Sequence, residues 1–169
     1  RAAAEGLEMT FEEADAVDLP YRDGEFDAVT SSLGVMFAPD QERAAAELVR
    51  VCRPGGTIAM VNWTPAGFIG GLLRTVGKHL PPPPGVRPPT LWGTEERLHE
   101  LLGDAVSDLR VTRREIVWRF PSAEDFTRFF RHNYGPTLKA FEALDEPGRQ
   151  ALYDDLTALA RDHDQEPGP

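Results

Sequence analysis

The chain of 169 residues is 41% hydrophobic and 27% charged, ordinary values for a globular protein with one real core. Its 18 Lys and Arg stand against 28 Asp and Glu, a net charge of −10, which argues against nucleic acid as a partner because phosphate binding needs a positive footprint. No apolar run reaches the ~18 residues of a membrane span, and the single Cys52 excludes an internal disulfide, so a reducing, cytoplasmic setting without a membrane span is expected.

In chain order, Arg1 to Glu5 reads as the last turns of a helix already under way, with Gly6 as its stop, so the start looks cut. Leu7, Met9 and Phe11 alternate with Glu8, Thr10 and Glu12, the pattern of a strand over about Leu7 to Ala14 with one buried face. Asp23-Gly24 marks a turn, and "FDAVTSS" from Phe26 to Ser32 is a second strand. Asp40 is placed to cap a helix whose Ala44, Leu48, Val51 and Cys52 share one face, with Cys52 a small buried hydrophobe on it. Pro54-Gly55-Gly56 ends that helix, and "TIAMVNW" is a nearly continuous apolar strand.

After Trp63 a helix is expected from about Phe68 to Lys78, then an extended surface loop at "LPPPPGVRPP". Thr94 caps another helix, stopped by Gly103, and a long strand is expected from about Leu109 to Phe120. Ser122 and Asp125 form a capping box for a helix with Phe126, Phe129, Phe130 and Tyr134 on one face. Helices near Thr137 to Leu144 and Pro147 to Asp162 complete the reading, with a frayed tail over 165–169.

Strands alternating with helices through the first 120 residues argue for a parallel, doubly wound, Rossmann-like α/β sheet. Residues 1–120 are therefore expected to form the sheet domain and 121–164 a helical cap over one end of it. In such sheets ligands sit beyond the carboxyl ends of the strands. Asp15 and Ala16 follow the first strand there, and Ser31 and Ser32 end the second. An acidic side chain next to a free backbone N–H can read an adenine edge; Asp15 can equally cap the turn that follows it.

"ADAVDLPYRDGEFDAVTSSLGVMFAPD" followed by "ELVRVCRPGGTIAMVNW" resembles class I S-adenosylmethionine-dependent methyltransferases of the ubiquinone/menaquinone-methyltransferase-like group. The resemblance covers about residues 1–65 well and reaches more loosely to Phe120. It implies S-adenosyl-L-methionine as cofactor, with Asp15 and Ala16 at the adenine and Ser32 near the methionine end. Leu33 and Met36 would wall the pocket, or belong to the core. No G-x-G turn or ribose-binding acid precedes this part of the sequence. The chain therefore reads as an incomplete class I methyltransferase fold, part of a longer protein, and by itself is expected to bind the cofactor poorly.

The expected function is methyl transfer to a small, hydrophobic molecule. The competing reading is a non-catalytic methyltransferase-like module that serves in binding or assembly. Methyl transfer needs a base only where the acceptor must lose a proton. His132 and Tyr134 in "FFRHNYGPT" are the candidates, on a helix end expected to lie over the pocket; His132 also suits a plain helix terminus. Trp63 and Trp92 could floor an acceptor site or pack the core. His79, His99 and His163 have no metal-ligand spacing, and no metal is expected. With the sheet incomplete, the Leu7 strand edge is a template for pairing, so exchange between copies could give a homo-oligomer.

Overall fold

The computed structural model describes residues 1–164 and divides into two compact units, Arg1–Val61 and the chain from Asn62 onward. The expected tail over 165–169 lies outside the described residues. The fold is α/β and Rossmann-like, with a parallel sheet and helices.

In the first unit, a 3-10 turn at Ala3–Glu5 stops at Gly6, whose φ of 69° places it in the left-handed region that glycine adopts without steric cost. Two strands follow later, β1 (Phe26–Ser32) and β2 (Cys52–Val61), joined through helix α1 (Gln41–Val51). They pair in parallel, from Ala28 opposite Thr57 to Ser32 opposite Val61. This is one βαβ crossover, the connection that parallel neighbours require. Asp40 Oδ1 accepts from Arg43 N at 2.9 Å and so caps α1 as the sequence predicts. Ala44, Ala45, Leu48 and Val51 are buried on one face of α1, which packs on both strands. Burying Leu48 and Val51 contributes about 1.5–3 kcal/mol each.

The helix ends at Val51 and β2 begins at once with Cys52. Cys52 is therefore a half-buried first strand residue rather than part of a helical face. Pro54-Gly55-Gly56 lies inside β2, where the register jumps between the Phe26–Cys52 and Ala28–Thr57 pairs. Gly55, at φ 73°, carries the extra residues out of the ladder as a bulge.

Two expected strands do not form. The segment from Leu7 to Ala14 has no regular structure and no ladder, with Leu7, Met9 and Phe11 exposed to 53%, 59% and 77%. The segment from Leu109 to Phe120 is likewise without a ladder, and Ile116 and Val117 are exposed. Alternation creates an apolar face but supplies no hydrogen-bond partner, and a strand exists only against a neighbour. Neither segment has such a neighbour among the described residues.

In the second unit, α2 (Phe68–His79), α4 (Ala123–Asn133), α5 (Gly135–Ala143) and α6 (Glu146–Asp162) surround a common core. Ile69, Leu72, Phe126, Phe130, Phe141, Leu152 and Leu156 form it. The phenylalanine stripe of α4 is thus buried by α2, α5 and α6 of its own unit, apart from Phe129, which stays half exposed. A short helix α3 (Glu95–Leu102) is capped by Thr94, and the prolines 81–84 are exposed and irregular, as expected. Ser122 Oγ accepts from Asp125 N and donates to Asp125 Oδ2, closing the predicted cap of α4. Trp118 and Phe120 anchor the unpaired segment before it, their rings lying 5.5 Å and 6.5 Å from that of Phe130.

Candidate functional site

The loop from Asp15 to Gly24 has no regular ladder, yet it is held by one pair of side chains on α1. Arg50 uses all five guanidinium donors. Nε bonds Glu47 Oε1 at 2.6 Å and Nη2 bonds Glu47 Oε2 at 2.8 Å. The remaining donors reach Leu19 O at 3.0 Å, Tyr21 O at 2.6 Å and Asp23 Oδ1 at 2.9 Å. Glu47 Oε2 also accepts from Leu19 N at 2.7 Å, and Gly24 N donates to Arg50 O at 2.8 Å. The two side chains are 13% and 30% exposed, so the pair is largely shielded and its charge-assisted bonds are stronger than neutral ones. Hydrogen bonds from Arg50 outweigh the opposing effect of burial and, with help from Leu19 N–H, pull the Glu47 carboxyl from 4.5 down to about 2.

This clamp sits directly after the turn that carries Asp15. Asp15 Oδ1 accepts from Val17 N at 3.1 Å and Asp15 O accepts from Asp18 N at 3.0 Å, an Asx turn. The turn-capping alternative read from sequence is therefore realised, and it occupies one carboxylate oxygen. The side chain is otherwise exposed, and Ala16, half buried, keeps a backbone N–H without an acceptor among the described residues. One free carboxylate oxygen beside one free N–H is the donor and acceptor pair that an adenine amino group and ring nitrogen require, so these residues fit the adenine end of S-adenosylmethionine. Glu13, Ala14, Asp15 and Ala16 line an open concavity there, and Ser32 and Leu33 are not among its walls.

At the carboxyl end of β1 the chain turns sharply. Leu33 has a φ of 57°, the sole non-glycine residue at positive φ among those described, a conformation that costs a branched side chain about 1–2 kcal/mol. Its N–H still bonds Val61 O at 2.9 Å and so extends the ladder by one step. Ser31 Oγ accepts from Val35 N at 2.9 Å, which fixes the next turn and leaves Ser32 exposed at the strand end. Leu33 is half buried, whereas Met36 is fully buried and belongs to the core. Strained backbone at a strand's carboxyl end is a recognised mark of ligand-facing segments.

The two candidate acid–base residues lie in the second unit. His132, in the last turn of α4, is exposed and lines a cleft of about 230 Å³ with Arg131, Leu138, Phe141, Glu142 and Arg149. Tyr134 is packed against Phe130, ring centroids 5.4 Å apart, and its hydroxyl is buried without a partner among the described residues. Burial pushes its phenol up to about 12, so at neutral pH it is protonated and can donate a hydrogen bond but not take a proton. Trp92 is fully buried, and Trp63 packs against the helical core with its ring 5.5 Å from Trp118. Both act as core.

Glu47 and Arg50 escaped the sequence reading. Their spacing in "ELVR" is that of an ordinary surface pair on a helix, and only their reach of 27 to 31 residues back along the chain lets them hold the loop after Asp15.

A family of proteins described as methyltransferase domains matches residues 1–60. Two uncharacterized proteins of Mycobacterium tuberculosis are 48% identical over 143 residues and 44% identical over 167. These matches take in 83% and 96% of this chain but 52% and 61% of the relatives, so the chain spans little more than half their length. A demethylmenaquinone methyltransferase of Thermus thermophilus is 48% identical over 65 residues, 38% of this chain and 30% of that protein.

Proposed function

Because residues 1–60 match the methyltransferase-domain family, we propose that the whole protein transfers a methyl group from S-adenosylmethionine to a small molecule with an apolar body. The observation that carries this reading is the Asp15–Ala16 turn, which offers a free carboxylate oxygen and a free N–H and is followed by a loop bolted to α1 by Glu47 and Arg50. Asp15 and Ala16 would hold the adenine. Ser32 and Leu33, on the strained turn after β1, would lie toward the methionine end. The bound cofactor supplies an activated methyl group on a sulfonium. The protein's own contribution is then to hold, orient and exclude water.

For an acceptor that must lose a proton, His132 is the base of this proposal, since Tyr134 remains protonated and would act as a donor. The aromatic side chains of the second unit, Trp118 and Phe129 among them, are partly exposed and suit an apolar acceptor. The likeness to the demethylmenaquinone methyltransferase covers under half of the chain, so it supports the reaction class more than a quinone acceptor. A single cysteine and the acidic balance suit a cytoplasmic protein.

Calorimetry of S-adenosylmethionine binding to the full-length protein tests the reading. Asp15→Ala is expected to weaken binding by about 1–3 kcal/mol, the cost of an unpaired polar partner. Equal affinity of the variant and its parent would remove Asp15 from the site. Tight binding with no methyl transfer to any acceptor would instead favour a non-catalytic binding module.

A further inference from the structure

We propose that the cleft formed by the end of α4, α5 and the start of α6 binds a small organic carboxylate, with Arg131 as its anchor. The cleft lies wholly within the second unit and does not depend on the methyl-transfer reading. Arg131 is half buried and its guanidinium carbon stands 4.8 Å from the centre of the Phe141 ring, which is itself buried. That cation–π contact fixes the side chain before any ligand arrives, so little rotamer freedom remains to be lost on binding. Arg131 makes no ion pair with any carboxylate among the described residues, although acidic groups outnumber basic ones in this chain. Its planar fork therefore keeps donors for an anion from outside.

A second cation faces the same space. Arg149 Nε donates to Phe141 O at 2.7 Å, which locks its stem, and its Nη1 lies 3.5 Å from the exposed Glu146. His132 lines the same cleft. The ligand's body is set by the remaining walls. Leu138 and Phe141 are apolar, so a cleft of about 230 Å³ offers an apolar surface beside the guanidinium. Glu142 also lines the cleft, with its carboxylate bonded to Lys139 at 2.8 Å. That nearby negative charge penalises a dianion more than a monoanion. A singly charged carboxylate on a compact apolar or aromatic body suits the chemistry of these walls.

The test uses benzoate, its neutral analogue benzamide, and inorganic phosphate, followed by NMR on the full-length protein. Benzoate is expected to shift the Arg131 Nε–H and the amides of residues 131, 138 and 141 saturably. Benzamide should fail at the same concentrations, and phosphate should bind at least about tenfold more weakly than benzoate. Arg131→Gln should weaken benzoate about tenfold or more while leaving the helical fold intact by circular dichroism. Benzamide binding as well as benzoate, phosphate binding better, unchanged affinity in a folded Arg131→Gln, or no saturation up to about 50 mM benzoate would each overturn the assignment. The benzoate and benzamide comparison is read on the unaltered protein, so it decides the matter even if the variant does not fold.

Discussion

Replacing Glu47 by glutamine tests whether one side-chain pair holds the Asp15 loop. Glu47 accepts three bonds, from Arg50 Nε, Arg50 Nη2 and Leu19 N. Glutamine keeps one acceptor oxygen and turns an NH2 group toward donors, so at least one charge-assisted bond is lost. Such a bond contributes about 1.5–3 kcal/mol. Breaking a fully buried ion pair costs about 3–5 kcal/mol, but Arg50 is 30% exposed and keeps Leu19 O, Tyr21 O and Asp23 as acceptors, so solvent and these partners offset part of the loss. The expected destabilisation is about 2 kcal/mol at pH 7, read as a shift in the urea midpoint of the full-length protein. Amides of Leu19 and Gly24 should exchange faster, and S-adenosylmethionine affinity should fall although Glu47 touches no proposed ligand atom. The pH dependence gives a second check. The folded-state value of about 2 lies below the free value of 4.5, so the carboxylate's stabilisation is complete above the free value and is lost as pH falls toward 2. The difference between parent and variant should therefore shrink between about pH 5 and pH 2. A stability change under about 0.5 kcal/mol with unaltered exchange at Leu19 would refute the clamp.

Two glycines should respond in opposite directions. Gly55→Ala, at φ 73° in the β2 bulge, is expected to lose about 1–2 kcal/mol, whereas Gly77→Ala, inside α2 with open space around the added carbon, should gain about 0.5–1 kcal/mol; thermal denaturation reads both, and equal signs would contradict the backbone argument. Tyr134→Phe removes a buried hydroxyl that has no partner among the described residues, so stability should hold or rise by up to about 1 kcal/mol. A clear loss would show that the hydroxyl is bonded in solution. Alkaline ultraviolet titration of the parent should show a step near 12 from Tyr134, and that step should vanish in Tyr134→Phe.

Local chemistry in the sequence determined the helices of this protein. Asp40, Thr94 and Ser122 each satisfy a backbone N–H three residues on, in contacts complete within one turn. The stripe of Phe126 and Phe130 likewise specified a buried face from spacing alone, though not which helices would bury it. The turn at Asp15 was legible as a choice between a cap and a ligand contact, because both uses draw on the same carboxylate, and the structure shows Oδ1 accepting from Val17 N within the turn while the side chain is otherwise exposed. Tertiary structure alone decided the rest. Leu7 to Ala14 carries the alternation of a strand and remains without a ladder, because the hydrogen bonds of a strand belong to a neighbour that no local pattern encodes. Glu47 and Arg50 read as a common helical pair, and only folding brought Leu19, Tyr21 and Asp23 within reach of their five donors and two acceptor oxygens. A partner about thirty residues distant leaves no periodic trace in a sequence, since its position is fixed by how α1 packs on the sheet and not by spacing along the chain.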